Sequence, residues 1–312
     1  MNQSRYGLLL AFVLVNLVWG TTFLAIRIGV HDLPPALFSG SRFVFAGMVM
    51  ALVAWYLRQP LPRLWSDWKV VLITAFLMVC GGNGLLTWAE QWVPSNQAAL
   101  LVTASALWLP LLGTLGARGV PLTRRVVLGL AIGLAGTALM FWPEDGFSTR
   151  YLWAQFGALI SSLSWSAAAI YLRNSTLATR DVPFAAAQML VGGAMMCALG
   201  LAVGELPRWH MTSAAAWSLL YLTVFGSCVA YSGYLWMIPR ARPATLGMIS
   251  YVVPVIATIA GWALLDEALA GAQFAGMAII VIGVAIVTWP QRRAPATVAV
   301  VNHPVGDDIR KP

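Results

Sequence analysis

The sequence predicts an all-α integral membrane protein with ten transmembrane helices arranged as two inverted five-helix repeats. Three observations lead there. Of its 312 residues, 60% are apolar and only 10% charged, whereas soluble domains carry about 25% charged residues. Apolar runs long enough to cross a bilayer recur along the chain, and the short links between them hold nearly all the charge. The second half also echoes the first, at a lag of about 146 residues.

A helix needs about 20 mostly apolar residues to span the hydrocarbon core. Residues 6–28, 35–57, 69–90, 95–115 and 124–142 qualify in the first half, and 151–172, 182–204, 213–237, 243–265 and 271–289 in the second. Helices are expected because lipid offers no partner to a free N–H or C=O, so each segment must satisfy its backbone internally. The period-two alternation of a lipid-facing β-barrel is absent. Residues 7–26 exceed a secretory h-region and run directly into Arg27, so they read as the first span. No link exceeds about a dozen residues, which leaves no room for a soluble catalytic or nucleotide-binding domain.

The net charge of +8 raises the question of nucleic acid, and its distribution answers it. Fifteen of the nineteen basic residues fall on one side of a ten-span topology: Arg5, Arg58, Arg63, Lys69, Arg118, Arg124, Arg125, Arg173, Arg180, Arg240, Arg242, Arg292, Arg293, Arg310 and Lys311. The opposite links hold only Arg27, Arg150 and Arg208. Residues spread in this way are topology signals, not a nucleic-acid stripe. The positive-inside rule places both termini in the cytoplasm of a multi-pass protein of the bacterial-type inner membrane. The tail, 291–312, is expected to be a disordered cytoplasmic segment. Cys80, Cys197 and Cys228 lie inside spans without CxxC spacing and read as small buried residues.

The repeat is visible residue by residue. Asn16 matches Ser162, Trp19 matches Trp165, Arg27 matches Arg173 and Gly47 matches Gly193, while Pro110 aligns with Pro254, and Gly129 and Gly136 with Gly276 and Gly283. Residues 1–146 and 147–290 are therefore expected to be two five-helix units. An odd number of spans makes the second unit enter from the opposite face, as in inverted-repeat carriers.

The run Trp19-Gly20-Thr21-Thr22-Phe23-Leu24-Ala25-Ile26-Arg27, then Pro34-Pro35 and Arg42-Phe43, resembles the opening of EamA-type members of the drug/metabolite transporter superfamily. Leu265-Asp266-Glu267-Ala268-Leu269 with Gly276 and Gly283 resembles the end of their second repeat, although Val120 stands where a first-repeat glutamate would match Glu267. The resemblance covers residues 6 to 289. It implies a ten-helix inverted-repeat fold and export of small metabolites, often amino acids or related amphipathic compounds.

Carrier sites lie near mid-membrane, where helices are interrupted. Gly81, Gly82 and Gly84, around Asn83, should loosen the third span, with Gly226 and Gly233 acting more weakly in the eighth. Pro110 and Pro254 each remove a backbone bond and are the other hinge candidates; helix packing is the plainer reading of these glycines and prolines. Phe12, Asn16, Trp19, Phe23 and Arg27 share one helical face, and Ser162, Trp165, Ala169 and Arg173 repeat it. Cavity lining and helix contact are both open to these tryptophans.

Arg42 is the one charge well within a span. It serves either as a fixed cation for a substrate carboxylate or phosphate, or as half of a structural pair with Glu90 or with freed carbonyls. Thr87, beside Asn83, together with Gln188, Tyr234 and Tyr251, completes the candidate substrate-binding set, and Ser227, Tyr231 and Ser250 add polar groups nearby. Such aromatic and neutral polar walls suit an amphipathic solute better than a bare ion. Gly129 with Gly133, and Gly276 with Gly283, are assigned to helix packing.

His31, His210 and His303 fall in links or the tail, so nothing converges as an intramembrane enzyme site would require. The expected function is a secondary transporter exporting a small amphipathic metabolite by alternating access; a channel-like permease is the alternative, and a membrane-embedded enzyme a more distant one. The expected partners are the small-molecule substrate and the lipid bilayer, with no nucleic acid, no cofactor and no metal. Proton coupling through Glu90 and facilitated diffusion are both compatible, as are a monomer and a weak homo-oligomer.

Overall fold

A computed structural model of the chain describes residues 3–93, 98, 101–141, 151–179, 181–265 and 271–288. The tail 291–312, the Asp266-Glu267-Ala268-Leu269 run and the side chain of Phe23 lie outside the described residues. The helices, in order, are α1 (Gln3–Asp32), α2 (Pro35–Tyr56), α3 (Trp65–Ala89), α4 (Ser105–Leu112), α5 (Arg124–Phe141), α6 (Leu152–Asn174), α7 (Asp181–Ala202), α8 (Ser213–Met237), α9 (Pro243–Leu265) and α10 (Gly271–Thr288). No strand occurs among the described residues. Among the described residues, six helices, α1, α2, α3, α7, α8 and α10, are long and apolar enough to cross a membrane.

Helix starts follow local chemistry. α2 opens with Pro35 at its first position, where the missing N–H is one the helix would leave unpaired anyway. Its next two N–H groups, from Ala36 and Leu37, are donated to the Glu205 carboxylate at 3.2 and 2.8 Å. α8 is capped by Thr212, whose hydroxyl accepts from Ala215 N at 3.2 Å. α3 begins at Trp65, one turn before residue 69, which the apolar run marked as its start. Asp67 in that added turn is buried because its carboxylate accepts from the backbone N–H groups of Ala178 and Thr179 and from the Thr179 hydroxyl.

Two helices change pitch in mid-span. Ala75–Gly84 of α3 and Leu222–Tyr231 of α8 are π-helical, and the two segments lie 147 positions apart. Glycine lets α3 widen at this point, and Asn83 Nδ2 donates to the Met78 carbonyl at 3.3 Å within the widened turn. The fourth span was expected over 95–115, and among the described residues Ala98, Leu101 and Val102 are helical ahead of the regular helix Ser105–Leu112. Ahead of it the backbone tightens into three-residue hydrogen bonds, from Ala104 N to Leu101 O and from Ala106 N to Thr103 O. Pro110 sits inside α4 and Pro254 inside α9, which continues through it to Leu265.

The most extensive helix pairs are α2 with α7 and α5 with α10. Both are glycine seams. A Cβ on Gly193 would stand 2.6 Å from Val44 N, and one on Gly47 would stand 2.8 Å from Leu190 N. A Cβ on Gly283 would lie 2.7 Å from Gly129 O, and one on Gly276 would lie 2.7 Å from Gly136 O. The contacts come in exchangeable pairs: moving Gly47 and Val44 forward by 146 gives Gly193 and Leu190, and moving Gly129 and Gly136 forward by 147 gives Gly276 and Gly283. Larger contacts follow the same rule, since α1 packs on α9 as α6 packs on α4, and α3 on α6 as α8 on α1.

The interior is built from Phe38, Phe43, Met78, Met189, Tyr231, Tyr234 and Tyr251, all fully buried. Outside, Leu10, Trp55, Tyr56, Phe76, Phe156 and Trp217 are exposed. An apolar exterior on this scale suits lipid tails, which demand no polar cover.

Candidate functional site

A cavity of about 130 Å³ opens between the halves. Its wall takes Trp19, Thr22 and Ile26 from α1, Arg42 from α2, Gly82, Asn83 and Leu86 from α3, Val102 and Ser105 from the α4 region, Ser161, Ser162 and Trp165 from α6, Tyr231 from α8, and Ile249, Ser250, Val253 and Pro254 from α9. Among the described residues, no Asp or Glu lines it.

Residues of the two halves meet here, and the two tryptophans do so at matching positions. The Trp19 and Trp165 rings lie edge to face with centroids 5.5 Å apart, a favoured arrangement of aromatic quadrupoles. The hydroxyls of Ser105 and Ser250 share a 2.5 Å hydrogen bond. Each tryptophan also rests on the opposite half's widened helix. Trp19 Nε1 donates to Gly226 O at 3.3 Å, and a Cβ on Gly82 would stand 2.9 Å from Trp165 Cε3. The widened turns therefore place backbone, not side chain, against the two indoles.

The halves differ where Tyr234 enters. It packs on both tryptophans, with centroids 5.2 and 5.3 Å away, and its hydroxyl accepts from Trp165 Nε1 at 3.0 Å. Tyr231 lies edge-on to Phe43 at 5.4 Å and to Trp165 at 5.7 Å, and donates its O–H to Gln188 Oε1 at 3.2 Å.

Arg42 is 6% exposed. Its Nε donates to Ser227 Oγ at 2.8 Å, and its guanidinium carbon stands 5.0 Å from the Phe43 ring centroid. Among the described residues no carboxylate lies within ion-pair distance of it, so it is not paired with Glu90. A Cβ on Gly226 would come within 3.0 Å of Arg42 Nη2, so the glycine leaves room for the cation.

Of the sequence-derived candidates, the cavity brings together Trp19, Arg42, Asn83, Ser162, Trp165, Gly82 and Pro254. The rest stand behind or beside it. Asn16 is buried and donates to Phe12 O at 2.7 Å. Thr87 donates to Asn83 O at 2.8 Å, and Gln188 is enclosed between Tyr231 and Met78. Tyr234 backs the tryptophans. Tyr251 donates to Leu130 O at 3.0 Å, and its ring occupies the space left by Gly133. A Cβ on Gly81 would strike Ser164, and one on Gly84 would strike Met196, so both are close-approach positions. Pro110 is buried in α4. Thr22, Ser105 and Ser161 were not singled out from the sequence. Their hydroxyls bond back to carbonyls of their own turns, of Trp19, Val102 and Ala158, the usual habit of helical Ser and Thr.

The model of the EamA-like transporter family matches residues 5–142 and again 152–289. The uncharacterized inner membrane transporter YedA of Escherichia coli is 30% identical over 287 residues, covering 92% of each chain. A probable amino-acid metabolite efflux pump of Escherichia coli is 25% identical over 295 residues, covering 88% of this chain and 92% of its own. One crystal structure shares the fold with a TM-score of 0.76 at 23% identity, covering 89% of this chain and 95% of the other.

Proposed function

Since the chain belongs to the EamA-like transporter family and is a multi-pass membrane protein, we propose that it is a secondary carrier exporting a small amphipathic metabolite, an amino acid or related compound, by alternating access through the cavity between its halves. The observation that carries this reading is the meeting of the repeat-equivalent Trp19 and Trp165, with Ser105 of one half bonded to Ser250 of the other, in the wall of one cavity. In an inverted repeat the halves exchange conformations to open the site to either face. Ten transmembrane helices as two inverted five-helix repeats, residues 1–146 and 147–290, are supported by the paired glycine contacts and by the two family matches.

The basic residues support both termini in the cytoplasm, with 291–312 as a tail there. The partners are the solute and the bilayer, with no nucleic acid. Proton-coupled antiport and facilitated diffusion both fit this geometry, as do a monomer and a weak homo-oligomer. Purified protein in liposomes should give saturable flux and counterflow for an amino acid or related solute. Linear, unsaturable flux would replace the carrier with a channel-like permease.

A further inference from the structure

Among the described residues Arg42 contributes the single formal charge in the cavity wall. Its Nε is committed to Ser227, and no carboxylate pairs with it. Among the described residues neither Nη nitrogen has a hydrogen-bond partner, and Nη2 lies beside Gly226. A buried guanidinium without a counter-ion is costly, and a bound anion relieves that cost with two parallel charge-assisted hydrogen bonds. The equivalent position of the second half, 146 residues on, holds neutral Gln188, whose amide oxygen is taken by Tyr231. The cavity thus balances one negative charge and no more.

The geometry points to Arg42 as an anion anchor: its paired Nη nitrogens receive the carboxylate of a solute that carries one such group, with the body of the solute against Trp19 and Trp165. This rests on the carrier reading of the same cavity and names the chemistry of its cargo. A phosphate monoester, near two negative charges at neutral pH, would leave its second charge uncompensated here. An ammonium group is not required, since no carboxylate waits for it, although the indole faces tolerate one.

The test is thermal stabilisation and liposome counterflow with acid–amide pairs, from butyrate and butyramide to indole-3-propionate and its amide, with phenylalanine and its amide, propylamine and phenethyl phosphate added. Stabilising and transported compounds should be carboxylates, each at least tenfold tighter than its amide. Arg42→Gln should erase that preference, Arg42→Lys should keep part of it, and Ser227→Ala, which frees Nε, should weaken acids several-fold without helping amides. Should Arg42→Gln fail to fold, the acid–amide comparison on the unaltered protein decides alone. Amides bound as well as acids, a phosphate ester bound better, or an unchanged preference in folded Arg42→Gln would overturn the anchor and leave the carrier standing. If no compound of any class binds or exchanges, the carrier reading falls and the anchor with it.

Discussion

Trp19 and Trp165, 146 positions apart in the sequence, meet edge to face with ring centroids 5.5 Å apart, and each presses on a glycine in the widened helix of the opposite half. Neither contact is available to a single half, so this indole pair exists only when the two units have closed around the cavity.

Removing either ring should therefore have matched effects. Trp19→Ala and Trp165→Ala each delete an aromatic contact worth about 0.5–1.5 kcal/mol beyond its buried area, and solute affinity should fall roughly tenfold for both. Trp165→Phe loses the bond to Tyr234, and Trp19→Phe the one to Gly226, at about 1 kcal/mol each. Counterflow titration measures these, and a strongly unequal pair of alanine variants would contradict the equivalence of the two positions.

The glycine seams give a contrast between positions. Gly193→Ala and Gly283→Ala force a methyl group to within 2.6 and 2.7 Å of backbone atoms that cannot turn aside, and overpacking of this kind costs about 1–3 kcal/mol. Gly271→Ala meets nothing within 4 Å and should unfold at the temperature of the unaltered protein. Thermal denaturation in detergent compares the three.

Glu205 supplies the cap that α2 lacks, because Pro34 and Pro35 bring neither a capping side chain nor an N–H. Glu205→Ala should cost about 0.5–2 kcal/mol, with Glu205→Gln intermediate since it keeps an acceptor but loses the charge at a helix N-terminus. Asp67→Ala should act similarly through the loop at Ala178 and Thr179. A lower melting temperature with wild-type solute affinity in the surviving fraction is the expected pattern.

Topology can be read with single cysteines in a background lacking Cys80, Cys197 and Cys228. Leu61→Cys and Thr176→Cys should stay unmodified by an impermeant maleimide applied to intact cells, while His210→Cys should react. The reverse pattern would place the termini outside.

Ser105 and Ser250 join α4 to α9 across the cavity wall at 2.5 Å between hydroxyl oxygens. A Ser105→Cys, Ser250→Cys pair should form a disulfide under mild oxidation. Transport should stop when it does and return on reduction. Undiminished flux in the cross-linked form would mean that these two helices need not separate.

Much of this arrangement is written in the sequence at the level of composition and spacing. The lag of 146 pairs Trp19 with Trp165 and Gly47 with Gly193, and the Gly81-Gly82-Asn83-Gly84 run marks where α3 widens. Rotational setting was less accessible. Tyr251 is one residue past Ser250, about 100° around α9, and that step turns its ring away from the cavity onto Gly133. Arg42 and Glu90 shared a charge logic but not a location, and Ser227, a neutral hydroxyl, took the partner's place. Thr22, Ser105 and Ser161 gave no signal because a hydroxyl bonded to its own turn looks the same whether it faces a void or a neighbour.

Where Gly129 faces Gly283 and Gly136 faces Gly276, main chain abuts main chain with no rotamers between them to readjust. A joint of that kind behaves as a rivet, keeping its register or coming apart, and it offers no ladder of partial slips. With a second rivet between α2 and α7, any change of shape must be taken up where side chains mediate, at α1, α3, α4 and their counterparts α6, α8 and α9. On the carrier reading proposed above, the moving parts are the helices that wall the cavity around Arg42 of the fixed α2, so that the passage of a solute and the rocking of the molecule are one event.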